Sequence, residues 1–524
     1  MGSTQAHVSG VLVCASLLAA ACGGGHGSAT SAPPADPIWT AGVYQSPAAF
    51  VAHCAQPRTG TDPTTGLQYA DTQGSSDWEN NWLRSWTNAY YLWYREVPDL
   101  SPAGYSTGSY FNLLKTSAIT PSGTLKDHFH FTYPTAQWLA LSQAGVVVGY
   151  GATWSVLAGT PPRKVLVAYT EPNSPATAAG ADLARGASIL AIDGVDLVNA
   201  SDAASVVTLN AGLSPSTPGE MHSFTLQDTP GAASRTVSLA ATTVTETPVQ
   251  NVKTYTVAGG VVGYMLFNDH IASAEPELFA AFAELAQSGV SDLVLDIRYN
   301  GGGYLDIASE VAFMIAGPGA TSGQTFELQQ FNDKYPTSNP ITGAPLTPTQ
   351  FHSTSQGFSG AAGQALPHLD LNRVFVLSGT RTCSASEAII NGLRGVNVEV
   401  IQIGSVTCGK PYGFYPPDNC GTTYFSIQFK GVNAQGFGDY SDGFVPANAP
   451  AGTGVPLPGC SVADDFTHAL GDQLEGRLAA ALTFRESQSC PTASGIGSAE
   501  ATAAGDGRLA KPEALMNRVL HRRS

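Results

Sequence analysis

The sequence predicts an α/β protein of several domains, and three observations predict it. Apolar runs of strand length at residues 261–267, 374–377 and 398–403 are each followed or preceded by segments with helical spacing. Ahead of them, Trp78, Trp82, Leu83, Trp86, Tyr90, Tyr91 and Tyr94 recur at helical spacing, the pattern of an amphipathic helix with an aromatic core face. Between the two lies a stretch, residues 146–249, that alternates apolar and polar residues as half-buried strands do. A chain of 524 residues has room for two to four such domains.

In chain order, residues 1–22 form an apolar, small-residue segment ending Leu18-Ala-Ala-Ala-Cys22-Gly. It is too short to span a bilayer and has the form of a secretory signal with a lipoprotein cleavage box. Cys22 is then the expected lipidation site, and the mature chain a membrane-anchored exported protein. Residues 23–76 begin with a Gly-, Ser-, Ala- and Pro-rich tether. Residues 77–140 carry the aromatic helix, 145–245 the alternating segment and 250–490 the strand–helix core. The low-complexity tail, 491–524, reads as disordered. A net charge of −16 argues against nucleic acid, which calls for a basic face. No Cys-x-x-Cys occurs and the histidines are scattered, so no metal site is expected. Six cysteines beyond Cys22 suit disulfides in an exported chain. Cys408–Cys420 and Cys460–Cys490 are the expected pairs.

The chemistry centres on residues 374–412. Strand 374–377 runs through small and polar residues to Ser384, and Glu387 opens a helical stretch. A serine at a strand-to-helix junction is exposed to attack a carbonyl beside helix N-terminal N–H groups. Strand 398–403 ends in a turn presenting Lys410. A lysine ordinarily titrates near 10.4, and bringing it to roughly 7 costs on the order of 4 kcal/mol, which an apolar pocket can supply. Val406, Cys408, Pro411 and Tyr412 flank Lys410 without a carboxylate. Asp292-Leu-Val-Leu-Asp296-Ile-Arg298-Tyr-Asn300-Gly-Gly-Gly303 is a strand ending in glycines, whose N–H groups can approach an oxyanion.

Taken together, Asp296 to Gly303, Ser384-Ala-Ser-Glu387 and Gly409-Lys410 resemble the C-terminal-processing (tail-specific) serine peptidases. The resemblance implies a crotonase/ClpP-like α/β core with Ser384 as nucleophile, Lys410 as general base and Glu387 as support. It implies oxyanion donors at Gly302, Gly303 and the N–H of Ala385, and no cofactor. Residues 173–194, with Ser174-Pro-Ala and Ile189-Leu-Ala-Ile-Asp193-Gly194, look like a PDZ domain. Such domains add a peptide as an extra strand and hold its terminal carboxylate in a backbone nest, here expected at Gly149-Tyr150-Gly151. The implied substrates are unfolded or C-terminally exposed polypeptides. Two other functions fit parts of the pattern. One is a catalytically silent peptide-binding scaffold. The other is an acyl hydrolase on a crotonase-like core, which the absence of a Gly-x-Ser-x-Gly elbow counts against.

Overall fold

The computed structural model describes residues 35–63, 65–450, 452–491 and 518–520. The signal segment and Cys22 lie outside the described residues. The N-terminal part carries helices α1 (Ser76–Tyr90) and α2 (Thr107–Leu113), strand β1 (Phe131–Pro134) and helix α3 (Thr135–Ala144). Ser75 caps α1 by accepting the Asp77 N–H. The aromatic stripe is core: Trp82, Leu83 and Trp86 pack with Phe50, Tyr110, Phe111 and Tyr424.

A β-rich unit follows, with strands β2 (Ala152–Ala158), β3 (Lys164–Thr170) and β4 (Ser188–Ile192), helix α4 (Ala203–Leu213), and strands β5 (Met221–Gln227) and β6 (Arg235–Ala240). The antiparallel sheet runs in the order β6-β5-β4-β3-β2, which leaves β2 as an edge strand. Alternate residues, among them Val165, Val167, Ile189, Phe224 and Leu226, turn inward to form its core.

The central domain is built on a sheet of six strands. They are β7 (Val249–Val257), β8 (Gly260–Phe267), β9 (Asp292–Asp296), β11 (Arg373–Ser378), β12 (Glu399–Gly404) and β14 (Gly459–Ser461), adjacent in that order. Strands β10 (Gly302–Tyr304) and β13 (Thr422–Phe425) lie outside this sheet. Only β7 is antiparallel to its neighbour. Helices α5 (Ala274–Gln287), α6 (Leu305–Thr321) and α7 (Ala385–Gly395) cover one face and α8 (Gly476–Ser487) the other. The strand alternation shows how: Met265, Leu293, Leu295, Val374 and Val376 face the three-helix side, while Tyr264, Val294, Phe375, Leu377 and Ile401 face α8. The N-terminal part is tied to this domain by the antiparallel β1–β13 pair and by the Cys54–Cys420 disulfide.

Two details differ from the sequence reading, the pairing of Cys408 and the tail. Cys408 pairs with Cys383, not with Cys420, because the turns carrying 383 and 408 converge on one carboxylate (below); Cys460–Cys490 forms as expected. Residues 462–475 are irregular and occupied with ion pairs, and α8 follows them. α6 breaks at Gly317 (φ 68°) and resumes through Pro318 to Thr321, and strand 325–331 follows. Within the tail, Arg518–Leu520 form strand β15, parallel to β10.

The ion pairs centre on Arg298, which is 1 % exposed. Its guanidinium meets Asp296 at 2.9 Å, Asp464 at 2.7 Å and both oxygens of Glu475 at 2.7 and 3.0 Å. Asp464 also receives Arg185 of the β-rich unit at 2.7 Å and the Tyr299 hydroxyl at 2.5 Å. Burial pushes Asp464 up, but Arg477, Arg298 and Arg185 outweigh it and hold the carboxyl well below its usual range. Removing the guanidinium takes the cation from two fully buried carboxylates, Asp296 and Glu475, while Asp464 keeps Arg185 and Tyr299. Arg298→Met therefore lowers unfolding free energy by about 3–5 kcal/mol or more in urea titration; a loss under about 1 kcal/mol contradicts this account.

Three other carboxyls are raised well above the usual carboxylate range. Burial pushes Glu327 up to about 8 and Glu171 up to about 7. Burial and the adjacent Glu275 push Glu310 up to about 9. Glu275 and Glu310 together accept the Gln356 N–H at 2.5 and 2.9 Å, and Glu275 takes the Gly357 and Phe358 N–H groups, each at 2.8 Å. The native state thus keeps protons that the unfolded chain releases, so these groups make stability fall as pH rises from about 5 to about 9. Glu310→Gln removes the upper part of that fall, seen as a flatter dependence of the urea midpoint above about pH 8. An unchanged slope would count against a raised Glu310.

Candidate active site

Ser384 stands between β11 and α7, at the carboxyl ends of the parallel strands, where open α/β sheets gather their ligands. It is fully buried, at φ 61° and ψ −114°, a conformation costly for a residue with a Cβ. Its Oγ has no hydrogen-bond partner. The turn before it is pinned from the glycine motif. Thr382 Oγ1 donates to Ile297 O at 2.8 Å, and Cys383 N and Ser386 Oγ donate to Asn300 O at 3.1 and 3.0 Å. The two motifs read apart in the sequence are therefore one structure.

Glu387 joins the third. Its Oε2 accepts the backbone N–H of Ser384 at 3.0 Å and that of Lys410 at 2.8 Å. Its Oε1 accepts Gly409 N at 2.9 Å and Thr407 Oγ1 at 2.5 Å. Burial raises this carboxyl, and the four donors work against the rise. Glu387 is thus a positioning residue: it fastens the nucleophile's main chain to the lysine's. The Cys383–Cys408 disulfide, Cα atoms 5.2 Å apart, repeats the link covalently. Gly409 (φ 82°) allows the turn, since a Cβ there would stand 2.4 Å from Ser441 O. Lys410 is fully buried, its Nζ 3.8 Å from the Phe414 ring centroid and 5.1 Å from that of Phe129. The apolar surroundings expected from its sequence neighbours are supplied by these two rings.

The glycine turn is shaped by Asn300. Its Oδ1 accepts Gly302 N at 2.9 Å and meets His270 Nδ1 at 2.9 Å, while Nδ2 donates to Phe267 O at 3.0 Å. The Gly302 N–H is therefore engaged within the turn. Gly303 (φ 152°) lies against His270, whose O a Cβ would approach to 2.3 Å. His270 escaped the sequence reading, and Asn300 entered it only as part of the glycine motif, without a role. The available signal was Asn268-Asp-His270 directly after an apolar strand, at the ligand-gathering end of a parallel sheet. Gly149-Tyr150-Gly151 belong to the β-rich unit rather than to this cluster. The Tyr150 ring is buried against Phe224, centroids 5.4 Å apart, and Tyr150 O and Gly151 O accept Ala176 N and Glu171 N at 2.8 and 2.7 Å.

Residues 261–413, which carry all of these turns, match Peptidase family S41. This segment is an S41 peptidase domain. The S41 match runs from β8 to just beyond Lys410. A carboxyl-terminal-processing protease of Picosynechococcus sp. is 29% identical over 280 residues, covering 52% of this chain and 56% of that protein. The aligned part thus spans about half the length of that curated relative. The crystal structure of a protein assigned as an S41 protease from Bacteroides fragilis NCTC 9343 superposes with a TM-score of 0.56 at 22% identity, over 78% of this chain and 97% of that one. The photosystem II D1 C-terminal processing protease aligns over 72% of this chain and 92% of that one at 20% identity, with a TM-score of 0.41. The S41 assignment and the fold agree with the mixed α/β architecture. No helix among the described residues is long and apolar enough to cross a membrane.

Proposed function

We propose that the chain is an exported serine endopeptidase using a Ser384–Lys410 dyad. The observation that carries this reading is the single Glu387 oxygen on which the Ser384 and Lys410 backbones meet. Lys410 Nζ takes the proton of Ser384 Oγ, which attacks the peptide carbonyl. The Gly303 and Ala385 N–H groups stabilise the oxyanion. The protonated lysine then returns its proton to the leaving amine, and water releases the acyl group. The β-rich unit is read as PDZ-like. Its edge strand β2 is open among the described residues, and α4 lies beside it through the bond from Trp154 Nε1 to Leu213 O at 3.0 Å. A substrate's C-terminal end would add to β2, with Gly149-Tyr150-Gly151 preceding that strand as the carboxylate turn. Cys22 would anchor the protein to a membrane.

A second reading, a silent peptide-binding scaffold, draws on one observation: Ser384 Oγ makes no hydrogen bond, to Lys410 or any other group. Catalytic contacts often tighten only with substrate bound, which favours the peptidase. The test is cleavage of an unfolded polypeptide with an apolar C-terminus across pH. The rate rises with pH as the lysine loses its proton. A rate flat from about pH 5 to 9 with binding unchanged would sink the lysine's role. Binding without cleavage would establish the scaffold.

A further inference from the structure

Between the β-rich unit and the S41 domain lies a cavity of ≈ 50 Å³, lined in part by Glu171, Glu246, Asn268, Asp269, Tyr299 and Arg381. We propose that this cavity is a specificity pocket for the cationic head of a lysine or arginine side chain in the polypeptide substrate, a proposal that rests on the peptidase reading above. Its walls set three carboxyl groups against the single guanidinium of Arg381. Asn268 is 6 % exposed, and neither its Oδ1 nor its Nδ2 has a hydrogen-bond partner. A buried amide left unsatisfied is costly, and a ligand bearing N–H donors recovers part of that cost at Oδ1. Glu171 is held in place by the Thr247 N–H at 2.8 Å and Gln250 Nε2 at 3.2 Å. Burial, helped by Glu277 and Asp269, pushes it up to about 7, so an arriving cation finds a carboxyl ready to release its proton and pair.

The position suits a subsite. Asn268 and Asp269 immediately precede His270, which bridges Gly303 in parallel and accepts Tyr304 N at 2.8 Å. Tyr299 adjoins Asn300, and Arg381 stands three residues before Ser384. The pocket's core-side wall is therefore made from the same turns that frame the nucleophile. β15 supplies a direction, for it pairs with β10 in parallel, Gly302 opposite Arg518 and Tyr304 opposite Leu520. A polypeptide laid on β10 in that sense would pass the pocket with residues preceding its paired segment. In this chain's own sequence, Arg508 and Lys511 precede Arg518.

The test uses full-length Ser384→Ala protein and a labelled unfolded peptide carrying one lysine upstream of an apolar segment. The same peptide with that lysine acetylated keeps its length and loses its charge. Binding is read by fluorescence anisotropy. The expected result is about tenfold tighter binding of the free lysine, falling below about threefold when Glu171→Gln or Asp269→Asn is added. Equal affinities, tighter binding of the acetylated peptide, or a ratio unmoved by both substitutions would overturn the pocket. Failure of the peptidase reading shows separately, as wild type that cuts neither peptide while the binding ratio persists.

Discussion

Ser384→Ala reduces cleavage of an unfolded polypeptide by about three orders of magnitude or more, and Lys410→Met does the same. The two substitutions differ in their effect on stability, and that difference separates a catalytic from a structural role. Ser384 Oγ is buried without a partner, so removing it discards a desolvated hydroxyl and no bond. Ser384→Ala is therefore expected to match or slightly exceed wild type in urea unfolding. Lys410→Met keeps most of the volume against Phe414 and Phe129 but forgoes, at pH low enough for the lysine to be protonated, the cation–π contacts, a cost of about 1–2 kcal/mol. A Ser384→Ala protein that keeps its activity would end the dyad assignment.

Glu387→Gln gives the second large effect. The carboxylate accepts from four donors within 3.0 Å, and an amide replaces one of its two acceptors with a donor. Either Ser384 N and Lys410 N, or Gly409 N and Thr407 Oγ1, then face an N–H group in a dry interior. The variant should lose about 2–4 kcal/mol of stability and about a hundredfold in kcat, with KM little changed, because peptide contacts lie elsewhere. Steady-state kinetics beside thermal unfolding separates the two losses. A raised KM with kcat intact would place Glu387 in substrate binding.

How much of this was legible follows the reach of each signal along the chain. The strand–turn–helix around Ser384 and the Gly409-Lys410 turn are local patterns, and the structure places both at the ends of adjacent strands β11 and β12. The helical reading of the aromatic stripe was equally local. Glu387 entered through the family resemblance, but its bonds to Gly409 and Lys410 depend on how two strand ends meet. Cys408 misled for the same reason. Cys420 is near in sequence, while Cys383 is near in space only once β11 and β12 are paired. The Arg185–Asp464–Arg298 cluster joins three distant segments, and no spacing rule reaches that far. Asn300 and His270 work through short polar bonds around a glycine turn, and composition carries no trace of those.

The Cys383–Cys408 bond closes a ring that contains α7 and β12, with Ser384 just inside one end and Lys410 just outside the other. A backbone cut anywhere within that ring would leave the serine and the lysine on one covalent piece. For a chain proposed to cut other chains, the nucleophile and its base are thus insured against a nick from a neighbouring copy of the same enzyme.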